Sequence, residues 1–132
     1  MMELKRGRLI DHLHLHSSDL AASKRFYEAV LRVLGIQITD GGEYFFADEL
    51  WVDSGKSATS VHFAFQAADR ETVERFYEAG LKAGGRDNGP PGERHYHPGY
   101  YAAFLLDPDG NNVEAVYHGP ANKSADFIQI TW

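Results

Sequence analysis

The chain contains one pattern twice. Arg25-Phe26-Tyr27-Glu28-Ala29 returns unchanged 50 positions later as Arg75-Phe76-Tyr77-Glu78-Ala79, and Leu31 returns as Leu81. In the same register His12 and Asp19, seven positions apart, return as His62 and Asp69. A five-residue identity flanked in step by His and Asp points to duplication, and a repeat constrains a fold more than local propensity does. Two copies are too few for a solenoid, so the chain is expected to hold two equivalent modules paired about a pseudo-twofold axis. At 132 residues they share a single domain.

The first copy reads as a strand over Arg8 to His16 and a helix from an Asp19 or Ser18 cap to about Leu34, stopped by Gly35. Leu20, Tyr27, Val30, Leu31 and Leu34 make the helix's apolar stripe. Three short strands follow, at Ile36 to Thr39, Glu43 to Ala47 and Leu50 to Asp53, with turns at Asp40-Gly41-Gly42 and Asp48-Glu49. Ser54-Gly55-Lys56-Ser57 reads as the linker. The second copy repeats the plan: a strand over Ser60 to Gln66, a helix capped by Asp69 and ending at Gly84-Gly85, then strands over Tyr100 to Leu106 and Asn111 to Tyr117 around an Asp107-Pro108-Asp109-Gly110 turn. Gly89 to Gly99 is six-elevenths Gly and Pro and reads as a loop. The expected architecture is α+β: two tandem βαβββ modules, residues 8–57 and 58–118, forming an open curved mixed sheet with the helices outside. The tail, residues 119–132, offers an extra strand at Phe127 to Trp132.

In the opening stretch, Asp11-His12-Leu13-His14-Leu15-His16, His and Leu alternate strictly. On a strand this sends His12, His14 and His16 to one face and the leucines to the other. His62, Phe63 and Phe65 repeat the arrangement, so His12 and His62 are expected on the same side of the sheet, away from the helices. On the last strand Glu114 alternates with Val113 and Ala115. Two imidazoles and a carboxylate suit a divalent ion with open positions.

These residues resemble the vicinal oxygen chelate superfamily of glyoxalase I, bleomycin-resistance proteins, fosfomycin-resistance transferases, methylmalonyl-CoA epimerase and extradiol dioxygenases. The matching segments are Asp11-His12-Leu13 with Asp19-Leu20, the Phe26-Tyr27 helix, Val61-His62-Phe63-Ala64-Phe65, and Asp107-Pro108-Asp109-Gly110-Asn111-Asn112-Val113-Glu114, spanning residues 9 to 118. The resemblance implies metal ligands at His12, His62 and Glu114, and a homodimer. The metal would be Zn, Ni, Mn or Fe. It also implies a fourth ligand, a Glu, in glyoxalase I proper. Aligning Leu50-Trp51-Val52 with Val113-Glu114-Ala115 puts Trp51 at that position, so a three-ligand site completed by water fits better.

An open divalent site chelates two adjacent substrate oxygens, polarises a carbonyl and stabilises the enediolate left when a neighbouring C–H loses its proton. His14 is the first candidate for the base and Glu49 the second. Trp51, His95, His97, Tyr100 and Tyr101 are the expected pocket residues. The leading expectation is therefore a metal-dependent glyoxalase-like lyase or isomerase acting on a small oxygen-rich metabolite or thiol adduct. The alternatives are a metal-free protein sequestering an antibiotic or similar small molecule, and a non-haem iron extradiol-type dioxygenase. A net charge of −6 argues against nucleic acid as a partner. The absence of cysteine excludes disulfides and thiolate chemistry and fits a cytoplasmic location. No apolar leader opens the chain and no run approaches a membrane span, so neither secretion nor a membrane partner is expected.

Overall fold

The structure, a computed structural model, describes residues 3–6, 8, 10–56, 60–122 and 125–131. In chain order its elements are β1 (Glu3–Arg6), β2 (Leu13–Ser17), α1 (Leu20–Val33), β3 (Thr39–Asp40), β4 (Tyr44–Ala47), β5 (Leu50–Ser54), β6 (His62–Gln66), α2 (Arg70–Lys82), β7 (Arg86–Glu93), β8 (Tyr101–Leu106), β9 (Asn112–Tyr117) and β10 (Ile128–Thr131). The duplication is visible in the topology. The sheets run β2-β5-β4-β3 and β6-β9-β8-β7, each mixed, with its first strand parallel to its last. This is the tandem βαβββ, α+β fold expected from the repeat, with the sheet in two four-stranded halves.

Each helix begins where an aspartate caps it. Asp19 accepts from Ala22 N and Asp69 from Thr72 N, satisfying donors that a first turn leaves orphaned. Gly35 ends α1 at φ 78°, a left-handed conformation that glycine adopts without strain. The repeated Arg-Phe-Tyr block buries Phe26, Tyr27 and Phe76 completely or nearly so. These rings join Leu15, Val30, Leu31, Phe45, Val52, Val73, Leu105 and Val113 in one core that spans both modules. Burying each large side chain contributes about 2 kcal/mol. The helices pack on each other. Gly80 permits this, because a Cβ there would lie 2.2 Å from Leu105 Cδ1 and 3.1 Å from Val30 Cγ1.

Polar ties cross from one module to the other. Asp107, 1% exposed, accepts from Tyr27 Oη at 2.5 Å, from Asn111 Nδ2, and from the backbone N–H groups of Asp109 and Asn111. Asp109 accepts from the backbone N–H and hydroxyl of Ser18 and from the Ser23 hydroxyl. The Asp107-Pro108-Asp109-Gly110 turn therefore anchors the start of α1 as well as joining two strands.

Four boundaries differ from the sequence reading. The first sheet strand starts at Leu13, five residues later than expected, so His12 precedes the ladder. Ile36 to Thr39 is not a strand, and only Thr39–Asp40 pairs. The Gly-Pro segment does not wholly loop out: Arg86–Glu93 forms β7 on the edge of its sheet. Two register shifts, each placing an extra residue on β7, take Pro90 and Pro91 out of the ladder, and an edge strand tolerates missing N–H donors. Finally, Ile128–Thr131 does form a strand, but its partner is Glu3–Arg6, a pairing that no local periodicity announces. Trp132 lies outside the described residues. Among the described residues no helix is long and apolar enough to cross a membrane.

Candidate functional site

The sheet faces turned away from the helices carry the chemistry. On β6 and β9, His62 Nε2 donates to Glu114 Oε1 at 2.8 Å. Glu114 is 2% exposed, whereas the His62 side chain is 55% exposed. A buried carboxylate is costly unless donors surround it. The second donor is Tyr100, whose hydroxyl bonds Glu114 Oε2. Burial, and then the Glu114 charge beside it, push the Tyr100 phenol well above its ordinary range, so it stays a donor at any working pH. Tyr96, His97 and His118 meet the Tyr100 ring edge-on at 4.9, 5.3 and 5.3 Å. His97 Nδ1 donates to Pro98 O, leaving Nε2 to accept from His118 Nδ1 at 2.9 Å.

His12 is exposed, and its Nδ1 lies 2.8 Å from Asp11 Oδ1. Within one chain it does not join His62 and Glu114 in a tight ligand group. Among the described residues the group whose ligand atoms lie within 4.8 Å of one another is His14, His16 and Asp53. His14 Nε2 and His16 Nδ1 each lie 2.9 Å from Asp53 Oδ1. The His14 hydrogen bond, aided by that from His16, holds the Asp53 carboxyl below the usual range against a burial effect that raises it. The parallel register explains the meeting: His14 lies opposite Trp51 and His16 opposite Asp53.

Trp51 stacks on Tyr44 at 4.5 Å and on Phe46 at 5.5 Å, all half-buried on that same face. Glu49 is exposed and sits beside the start of β2, where its carbonyl accepts from Leu13 N at 2.6 Å. With Ile10, Leu13, Phe63 and Phe65 it lines a cavity of about 340 Å³ between the modules. His95 is exposed. Tyr101 turns to the helix side, donating to Glu74 with Arg70 over its ring, and so does not share a face with Glu114. The ladder puts Trp51 and Glu114 at matching positions, opposite His14 and Ala64.

A sequence model of the Glyoxalase/Bleomycin resistance protein/Dioxygenase superfamily matches residues 9–115. The chain belongs to this superfamily. The glyoxalase/bleomycin resistance protein from Albidiferax ferrireducens T118 is similar at 30% identity over 82% of this chain and 97% of that one, with a TM-score of 0.72. A glyoxalase-related enzyme from Fulvimarina pelagi shares 22% identity over 90% of this chain and 94% of its own, with a TM-score of 0.68. Lactoylglutathione lyase from Agrobacterium tumefaciens shares the fold at 22% identity over 80% and 90%, with a TM-score of 0.54. No curated protein matches the sequence.

Sequence reasoning about this superfamily member missed Asp53 and His118 as site neighbours. Parity had a signal for Asp53, two residues from Trp51 on the same face, but its meeting with two histidines depends on the parallel register. For His118 no local signal exists, since its contact with His97 is made across a 21-residue separation.

Proposed function

We propose that the protein is a divalent-metal-dependent lyase or isomerase of the glyoxalase type, acting as a homodimer on a small oxygen-rich metabolite or its thiol adduct. The observation that supports it is the His62–Glu114 pair: a buried carboxylate, fixed by Tyr100, presenting an oxygen beside a half-open imidazole. His12 is the third ligand in this reading. It stands on the other module, exposed, and forms no tight ligand group with the pair inside one chain, so His12 of the partner subunit is proposed to complete each site. Two nitrogens and one oxygen suit Zn, Ni, Mn or Fe and leave positions open.

When bound, such an ion supplies Lewis-acid polarisation of a substrate oxygen. The chain supplies the rest. Tyr100 orients Glu114 by donating to its Oε2. Glu49, beside His12 at the start of β2, is the proposed acceptor of the proton from the carbon next to the polarised carbonyl. His14, whose Nε2 is engaged by Asp53, is less suited to that task. His95, His97 and Tyr100 sit in or beside the segment 94–100 and are proposed to border the substrate.

A second reading, a ferrous dioxygenase acting on a planar aromatic compound, is favoured by the Tyr44–Trp51–Phe46 stack. Metal analysis of protein purified without chelator tests the proposal. The content should fall by about one equivalent per chain in both His62→Ala and Glu114→Gln, a loss of one ion per site. Unchanged content in both variants overturns it and leaves a small-molecule binding protein with no ion at this pair. Oxygen uptake that requires ferrous iron transfers the site to the second reading.

A further inference from the structure

The geometry points to a second divalent-cation site, built by His14, His16 and Asp53 alone and separate from the His62–Glu114 pair. Both imidazoles aim a nitrogen at one carboxylate oxygen, each at 2.9 Å, so the three ligands already converge. Their exposures, 41%, 52% and 31%, leave one side of the group open for water or a ligand. The group is also held in place. The His16 ring rests where a Cβ on Gly55 would lie, 2.8 Å from Nδ1, so glycine is what lets it turn toward Asp53. The strand ladder sets Trp51, itself packed on Tyr44 and Phe46, opposite His14.

The duplication supplies an internal comparison. The positions in the second module that match His14, His16 and Asp53 are Ala64, Gln66 and Val116. The βαβββ framework therefore builds its ladder without any of the three, and the first module alone carries this cluster. Nitrogen-rich sites of two imidazoles and a carboxylate favour Zn, Co, Ni or Cu over Mg or Ca. On binding, each N–H proton now directed at Asp53 moves to the other nitrogen of its own ring. Both imidazoles stay neutral and each offers a lone pair.

Trp51 reports on the site. A Glu114→Gln, Trp132→Phe protein lacks the proposed catalytic ligand and keeps a single tryptophan. Cobalt(II) titrated into it should quench Trp51 fluorescence saturably, with about one ion bound per chain, and give the visible absorption of a nitrogen-ligated ion. Adding His16→Ala or Asp53→Asn should weaken that binding at least about tenfold, the scale of losing a ligand or its support. His95→Ala should leave it unchanged. Asp53→Asn is isosteric and carries the test should His16→Ala lower the folded fraction by circular dichroism. Quenching that does not saturate, or that is equal in all variants, overturns the inference. Because Glu114→Gln removes the catalytic pair beforehand, this outcome is independent of the proposed function.

Discussion

Replacing Tyr100 by phenylalanine removes one oxygen and leaves the ring contacts with Tyr96, His97 and His118 in place. The oxygen lost is the donor to Glu114 Oε2, leaving His62 as the side-chain partner of the buried carboxylate. A hydrogen bond to a charged group contributes roughly 1.5–3 kcal/mol. Tyr100 is half-buried, so water partly refills the vacancy and the lower end applies, about 1.5 kcal/mol. For a domain of this size that is a fall in melting temperature of about 5 °C. If Glu114 also holds an ion, its carboxylate loses orientation and metal affinity falls roughly tenfold. Urea unfolding of the metal-free protein reads the first effect and a competitive chelator titration the second. Tyr96→Phe is the control, because Tyr96 is 72% exposed and should change neither by more than about 0.5 kcal/mol. Wild-type stability together with wild-type metal affinity in Tyr100→Phe would refute the assignment of Tyr100 as the support of Glu114.

Tyr27→Phe should cost about 2 kcal/mol, since both the hydroxyl and Asp107 are buried, and a shifted urea midpoint with an unchanged slope checks it. Gly80→Ala should destabilise although alanine favours helix by about 1 kcal/mol, because a Cβ at 2.2 Å from Leu105 forces a shift costing about 1–3 kcal/mol. Thermal unfolding gives the sign, and a stabilised variant contradicts the packing argument. The Asp109 carboxyl is lowered overall: burial raises it, but hydrogen bonds from Ser18 and Ser23 outweigh that effect. Its stabilisation is therefore complete above the ordinary aspartate value of 3.8 and is lost as pH falls through the lower folded value. Asp109→Asn should be less stable than wild type at about pH 6, and the gap should narrow toward about pH 3 in urea midpoints.

Much of this was written locally in the chain. The offset of 50, the two aspartate caps and the Phe-Tyr stripe are short-range signals, and the structure realises each of them. The Gly-Pro segment misled because composition does not say where a strand lies in a sheet. At an edge, missing N–H groups and bulges are tolerated, and β7 forms. The pairing of Glu3–Arg6 with Ile128–Thr131 joins chain ends, beyond any window of periodicity. At the site, alternation was enough to put His14 and His16 on one face, and the repeat was enough to match His62 with His12. The partner of each was decided by register. Asp53 meets two imidazoles, and Glu114 meets His62, because the first strand of each module runs parallel to the last.

Mixed dimers show whether two subunits share one metal site, as proposed. His12→Ala and Glu114→Gln proteins are unfolded together and refolded as an equimolar mixture, and bound metal is measured against each variant alone. Each variant alone should lack the shared-site ion. In the mixture about a quarter of the wild-type shared sites should return, because half the dimers are mixed and each of those rebuilds one intact site of two. Folded dimers that recover no metal on mixing, or a variant that keeps the ion by itself, would contradict it.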